Sequence, residues 1–264
     1  MTNVLFLCAG FGTRLEKDLC ESELSHLVGV PKALLPLNHK PLIEHWLQVI
    51  GDLVPYIICN QSHKAQFDKW ADSVAFNKKN IYSNGVLTNE TRSGSVKDLF
   101  LAIEYFQLQN DNLIVIAGDT LLKKFDFGKF VMDCSIINHS VVVYSTITDT
   151  ECFKSGVLET MVEGGKERVV GFLEKPGPEL TTSRKGCPCY YFVHPSSIPF
   201  LKVFLDEKKD APLNEIDASG RWIEWLIHKT PVYALPITGR LDIGGLATYL
   251  EAEKYLSENK LWIV

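Results

Sequence analysis

Along roughly the first 150 residues, apolar runs of strand length alternate with stretches whose apolar residues recur at helical spacing. The pattern predicts strands over 4–8, 56–59, 80–83, 113–117 and 141–145. It predicts helices opening at Pro41 and running over 64–71, 96–108 and 127–136. After Pro41, residues Leu42, His45, Trp46, Val49 and Leu53 share one face, and over 96–108 Leu99, Ile103 and Phe106 turn inward. The run Leu113-Ile114-Val115-Ile116-Ala117 contains no polar position and predicts a central strand buried on both faces. Alternation of this kind predicts an α/β fold, a doubly wound, mostly parallel sheet with helices on both faces.

From about residue 150 the pattern changes. Residues 157–161 and 168–172 flank Glu163-Gly164-Gly165 and read as a hairpin closed by a tight glycine turn. An aromatic strand follows over 189–193, then helices over 195–205 and 220–228, a strand over 232–236 and a last helix over 246–257. No low-complexity linker or internal repeat intervenes, so one domain is expected over 1–264, with a smaller, β-rich part at 151–264.

Charge narrows the partners. With 27 Lys and Arg against 32 Asp and Glu, the formal net charge is −5, which lacks the basic footprint of a nucleic-acid binder. Any phosphate is therefore expected on a small ligand. No apolar stretch approaches the roughly 20 residues of a membrane span, and the N-terminus enters Val4-Leu5-Phe6-Leu7 without a signal pattern. The seven cysteines are scattered, and zinc would want a second pair besides Cys187-Pro188-Cys189. Reduced thiols in a cytoplasmic protein are the expectation, and the aromatic content would support a homodimer.

The strongest local signal is Leu7-Cys8-Ala9-Gly10-Phe11-Gly12-Thr13-Arg14-Leu15, directly after the first strand. Glycines at 10 and 12 let backbone N–H groups approach an anion, and Arg14 adds a two-pronged donor. The dinucleotide fingerprint is excluded because Leu15 stands where its third glycine would be, and Walker A is excluded for want of Gly-Lys-Ser/Thr. Taken alone, Gly10 and Gly12 would equally serve a tight turn, and Lys32 would read as a surface lysine.

Together with Pro31-Lys32-Ala33-Leu34-Leu35-Pro36, however, the glycine phrase resembles the sugar-1-phosphate nucleotidyltransferase family. That family includes glucose-1-phosphate thymidylyl- and uridylyltransferases and mannose-1-phosphate guanylyltransferases. The resemblance continues through Ser93-Gly94-Ser95-Val96, Ile116-Ala117-Gly118-Asp119, Ser155-Gly156-Val157, Glu174-Lys175-Pro176 and Gly239-Arg240-Leu241-Asp242-Ile243-Gly244.

It implies a Rossmann-like sheet with a nucleotide-binding half at 1–150 and a sugar-phosphate-binding half at 151–264. The reaction implied joins an NTP and a sugar-1-phosphate into an NDP-sugar and pyrophosphate, with Mg²⁺ as cofactor. Leu7, Ala9, Gly10, Gly12, Thr13, Arg14, Lys32, Asn89, Gly94 and Gly118 would contact the nucleotide. Gly156, Glu174 and Lys175 would hold the sugar phosphate, and Asp119 and Asp242 the metal. Arg14, Lys32 and Lys175 are the implied catalytic cations. Read singly, Asp119 and Asp242 would equally cap helices, and Glu174-Lys175 would be a surface ion pair.

Departures from the family pattern leave alternatives. The stretch between Arg14 and Lys32 is longer than in the compact bacterial thymidylyltransferases and unusually acidic, which suits either a lid loop or a tolerated insertion. Leu241 stands where many members carry tryptophan. Residues 84–98 lack the glutamine-centred phrase with which thymidylyltransferases read the base. A cytidylyltransferase acting on phosphocholine, or a silent nucleotide-sugar-binding regulator, remains an alternative to the sugar enzyme. The end of the chain soon after the last helix suggests no hexapeptide-repeat acyltransferase domain.

Overall fold

A computed structural model describes residues 1–259. The chain begins with β1 (Thr2–Cys8) and α1 (Thr13–Cys20), then the short β2 (Pro36–Leu37) and β3 (Lys40–Pro41), α2 (Leu42–Leu47), β4 (Val54–Cys59), α3 (Lys64–Ser73) and β5 (Ile81–Ser83). There follow α4 (Ser95–Phe106), β6 (Asn112–Ala117), β7 (Thr120–Leu122), α5 (Phe127–Ile137), β8 (Ser140–Thr146) and α6 (Asp149–Cys152). The remainder is β9 (Gly156–Glu163), β10 (Lys166–Glu174), β11 (Lys185–Cys187), β12 (Tyr190–Val193), α7 (Pro199–Glu207), α8 (Ser219–Leu226), β13 (Val232–Pro236), β14 (Arg240–Asp242) and α9 (Leu246–Glu258).

One 10-stranded sheet runs in the order β11-β9-β10-β13-β8-β12-β6-β1-β4-β5. The block β6-β1-β4-β5 is parallel throughout, as expected for a doubly wound unit. Beyond β6 the sheet is mixed: β12 is antiparallel to both β6 and β8, β13 is parallel to β8, and β9, β10 and β11 pair antiparallel. The mostly parallel expectation therefore describes the first half. Residues 190–193, arriving late in the chain, insert between two earlier strands, and nothing local in their sequence reveals that placement.

The central strands show why both faces are covered. Val4, Phe6, Ile114, Ile116, Val141, Val143, Tyr190 and Phe192 bury into one core with Trp46, Phe67 and Ala252. Their alternating neighbours Leu5, Leu113, Val115, Val142, Tyr191 and Val193 bury into the other, with Leu99, Ile103, Leu201 and Trp222. Period-2 alternation with both sets apolar is the signature of a two-sided strand. The hairpin over β9 and β10 closes through Gly164 and Gly165, both at positive φ, which gives the turn the twist its strands require.

Two expectations are corrected. The stretch after Arg14 is only partly a loop: α1 occupies its start, burying Leu15 and Leu19, with Asp18 Oδ2 accepting the Leu246 N–H at the start of α9 at 3.1 Å, and residues 21–31 form turns around a 3₁₀ turn at Ser25–Leu27. The helix after Pro41 stops at Leu47 rather than reaching Leu53: the Val49 and Ile50 N–H groups both donate to the Trp46 carbonyl in closing turns, and the chain then bends at Gly51, where φ is +60°.

Candidate active site

The carboxyl ends of β1 and β6 lie side by side, the place where open α/β sheets bind ligands. Gly118 N–H donates to the Leu7 carbonyl at 2.9 Å, and a Cβ at 118 would come within 2.5 Å of Cys8 Sγ. Any side chain at 118 therefore forces Cys8 or the adjoining backbone to shift. Gly12, at φ +67°, turns the chain from the loop into α1.

Two adjoining clefts open from this point. A glycine-lined cleft of about 300 Å³ takes in Leu7, Ala9, Gly10, Gly118, Gly156 and Glu174. A cationic cleft of about 570 Å³ takes in Gly12, Thr13, Arg14, Lys175 and Asp242. Lys32, Asp119 and Lys154 belong to both, so these residues stand at the junction.

At the junction Lys32 Nζ is paired with Asp119 Oδ2 at 2.9 Å, both side chains partly buried. Lys32 opens a 3₁₀ turn that is anchored behind it, Ala33 within the turn and Leu35 just after it burying into the core. Asp119 and Asp242 lie 123 positions apart but converge because β7 pairs with β14, Thr120 opposite Asp242. The Ile243 N–H also donates to the Asp119 carbonyl at 2.9 Å. Burial first, and then the Asp119 carboxylate, push the Asp242 carboxyl above its usual range, against the pull of Arg240, Lys32 and Arg14.

Glu174 ends β10 opposite Gly156, and burial raises its carboxyl. Its neighbour Lys175 has φ +53°, a left-handed conformation uncommon for a lysine, with its N–H held by the Ser155 carbonyl at 3.1 Å. That residue breaks the strand's alternation, so Glu174 lines one cleft and Lys175 the other. A side chain at Gly156 would strike the Phe172 ring, and one at Gly220 the Glu174 carboxylate.

Two expected nucleotide contacts are placed otherwise. Asn89 sits in a 3₁₀ turn where its carbonyl accepts Arg92 Nη1 at 3.0 Å, and it lines neither cleft. Gly94, at φ +85°, packs against the Ile216 backbone, and the next residue, Ser95, is the one that reaches the glycine-lined cleft. Leu241 is buried opposite Leu121, so Arg240 beside it faces the cleft, its Nη2 donating to Ser155 Oγ at 2.7 Å. Sequence reading missed Arg240, Lys154 and Asp98, since isolated charged residues look like surface until the fold shows what they line.

The nucleotidyl transferase family model matches residues 3–259, and the chain belongs to that family. It is 27% identical over 183 residues to the bifunctional protein GlmU of Methanococcus maripaludis. That match takes in 69% of this chain and spans 37% of the relative's length. Among solved structures, a UDP-glucose pyrophosphorylase complexed with UDP-glucose superposes with a TM-score of 0.74 at 19% identity, covering 98% of this chain and all 100% of that one. A Bacillus anthracis protein described as a glucose-1-phosphate thymidylyltransferase, in complex with sucrose, superposes at 0.73 with 18% identity, over 98% and 96% of the two chains. These likenesses establish a shared fold.

Proposed function

We propose that the protein transfers a nucleotidyl group from an NTP to a sugar-1-phosphate, releasing pyrophosphate. The observation that carries this reading is the junction, where Lys32 and Asp119 stand between a cationic cleft and a glycine-lined one, with Asp242 brought beside them in the cationic cleft. The family membership and the names of the relatives support it.

In the reaction an oxygen of the acceptor phosphate attacks the α-phosphorus. The bond from that phosphorus to the bridging oxygen breaks, and pyrophosphate departs with the electron pair. Two polyanions must meet, so charge neutralisation and positioning dominate the barrier. Arg14 holds the triphosphate and the departing pyrophosphate. Lys32 exchanges Asp119 for the α-phosphate as charge develops there. Lys175 anchors the attacking phosphate while Glu174, one residue away, accepts from sugar hydroxyls. No general base is required, because a phosphate monoester is already ionised near neutral pH.

The two aspartates fit a hard divalent cation. They offer oxygen donors from paired strands, and their mutual repulsion is a charge load that such a cation relieves. Asp119 and Asp242 would hold Mg²⁺, which when bound neutralises phosphate charge at the junction. Among the described residues no group of three or more His, Cys, Asp or Glu side chains forms a further metal site. No described helix is long and apolar enough to cross a membrane.

The test is pyrophosphate release over a matrix of NTPs against sugar-1-phosphates and phosphocholine, with Mg²⁺ present. Turnover with a sugar-1-phosphate supports the reading. Turnover confined to phosphocholine, or silence from folded protein that binds nucleotide, overturns it.

A further inference from the structure

The mechanism leaves one buried carboxylate in the cleft without a task. Asp98, on the first turns of α4, is 7% exposed and lines the glycine-lined cleft with Ser95. Its Oδ1 accepts two hydrogen bonds, from Asn84 Nδ2 at 2.8 Å and from Ser93 Oγ at 2.5 Å. Asn84 is itself fixed, since its Oδ1 accepts the Val86 N–H at 3.0 Å. Among the described residues Oδ2 accepts no hydrogen bond, and no cation forms an ion pair with Asp98. Burying a carboxylate this way is costly unless something arrives to pair with it. Asn84 and Ser93 lock the orientation of the group and leave one acceptor oxygen for that arrival.

The glycine-lined cleft reaches from the junction, where Lys32 and Arg240 stand, to the α4 wall of Ser95 and Asp98. Its other buried acceptor, Glu174, is assigned to the sugar, so Asp98 is left for the end of the nucleotide remote from the phosphates. Of an NTP, that end is the base. A carboxylate accepts and does not donate. Cytosine, adenine and guanine present an exocyclic amine, whereas uracil and thymine have a carbonyl in its place and a single ring N–H flanked by two carbonyl oxygens that repel a carboxylate.

We infer that Asp98 selects the donor nucleotide by accepting a hydrogen bond from the exocyclic amine of its base, favouring CTP, ATP or GTP over UTP and dTTP. This rests on the nucleotidyltransferase reading above.

The experiment measures kcat/KM for all five nucleotides, and separately their equilibrium binding by calorimetry, for the wild-type chain and for Asp98→Asn. The wild type should prefer an amino-bearing base by about 10-fold or more, the scale of leaving a charged acceptor unpaired. Because asparagine donates where aspartate accepts, the variant should lower that preference by at least about 10-fold. A purely structural role would instead weaken every nucleotide by the same factor, and that result overturns the inference. So does a wild type that prefers UTP or dTTP, which needs no variant at all. The matching 2′-deoxy triphosphates separate base from ribose: preference lost with the 2′-hydroxyl assigns Asp98 to the sugar and overturns base selection. If no pair turns over, the functional reading fails by itself, and the calorimetric preference still decides the role of Asp98.

Discussion

The cationic cleft gathers Arg14, Lys32, Lys154 and Lys175 about an acidic pair, on side chains that are partly exposed. The glycine-lined cleft shares its junction but is walled by Gly10, Gly118, Gly156 and Gly220, by the buried carboxylate Asp98 and by the largely buried side chain of Glu174. Phosphates need charge and tolerate water, so long side chains from separate elements can reach them. A base or a sugar ring needs shape and a few fixed acceptors, so that wall is built from close approaches in the core. Changes in the first cleft should therefore act on catalysis with little effect on folding, and changes in the second should act on folding as well wherever the wall is a close approach.

The largest break comes at the junction. Asp119→Asn should lower kcat for pyrophosphate release by about 100-fold or more, the scale of losing one charge stabiliser in a transition state. Its melting temperature should stay close to that of the wild type, since the Lys32 pair is partly exposed. Next, Lys175→Ala should raise KM for the sugar-1-phosphate about 10-fold or more while KM for the NTP holds. A matched rise in both would remove Lys175 from the acceptor side.

The glycines sharpen the contrast. A Cβ at Gly118 meets Cys8 Sγ at 2.5 Å, so Gly118→Ala should cost about 1–3 kcal/mol of stability, read as a fall of several degrees in Tm. A Cβ at Gly10 meets nothing within 4 Å, so Gly10→Ala should keep its Tm and lose nucleotide affinity. Equal Tm losses at the two positions would refute close approach as the source of the cost in this wall.

The smallest effect concerns Glu174. Its carboxyl is raised by burial from an ordinary value of 4.5, so the folded protein holds that proton more tightly than the unfolded chain does. Stability is therefore lost as pH rises through the window just above 4.5, and the penalty persists at neutral pH. Glu174→Gln should raise Tm at pH 7 by a small margin that closes below about pH 4, while acceptor KM rises. A gap independent of pH would show that the carboxyl is not the cause.

Periodicity in the sequence revealed β1, β6 and the Gly164-Gly165 hairpin because each buries or turns by a rule that spans only neighbouring residues. The glycine phrase, Lys32, Asp119, Glu174-Lys175 and Asp242 were legible as a pattern, and the fold brings them to two adjoining clefts. What stayed hidden depended on distant partners. Strands β7 and β14 are three residues each and acquire meaning from pairing with one another across the chain. Asp98 resembles any helix-surface acid until Asn84 and Ser93 close over it. Lys154 and Arg240 gain a role from the space they face.

The left-handed backbone at Lys175 has a consequence for substrate choice. One peptide unit joins the side chain that would feel the sugar ring to the one that would grip its phosphate. The two would act as a caliper, its charged ends paired at 3.5 Å until an acceptor parts them. An acceptor whose ring sits too deep or too shallow pulls the jaw at Glu174 and so offsets the attacking oxygen held at Lys175. Fidelity for the acceptor would then be expressed as misalignment, slowing turnover of a wrong sugar even where it binds well.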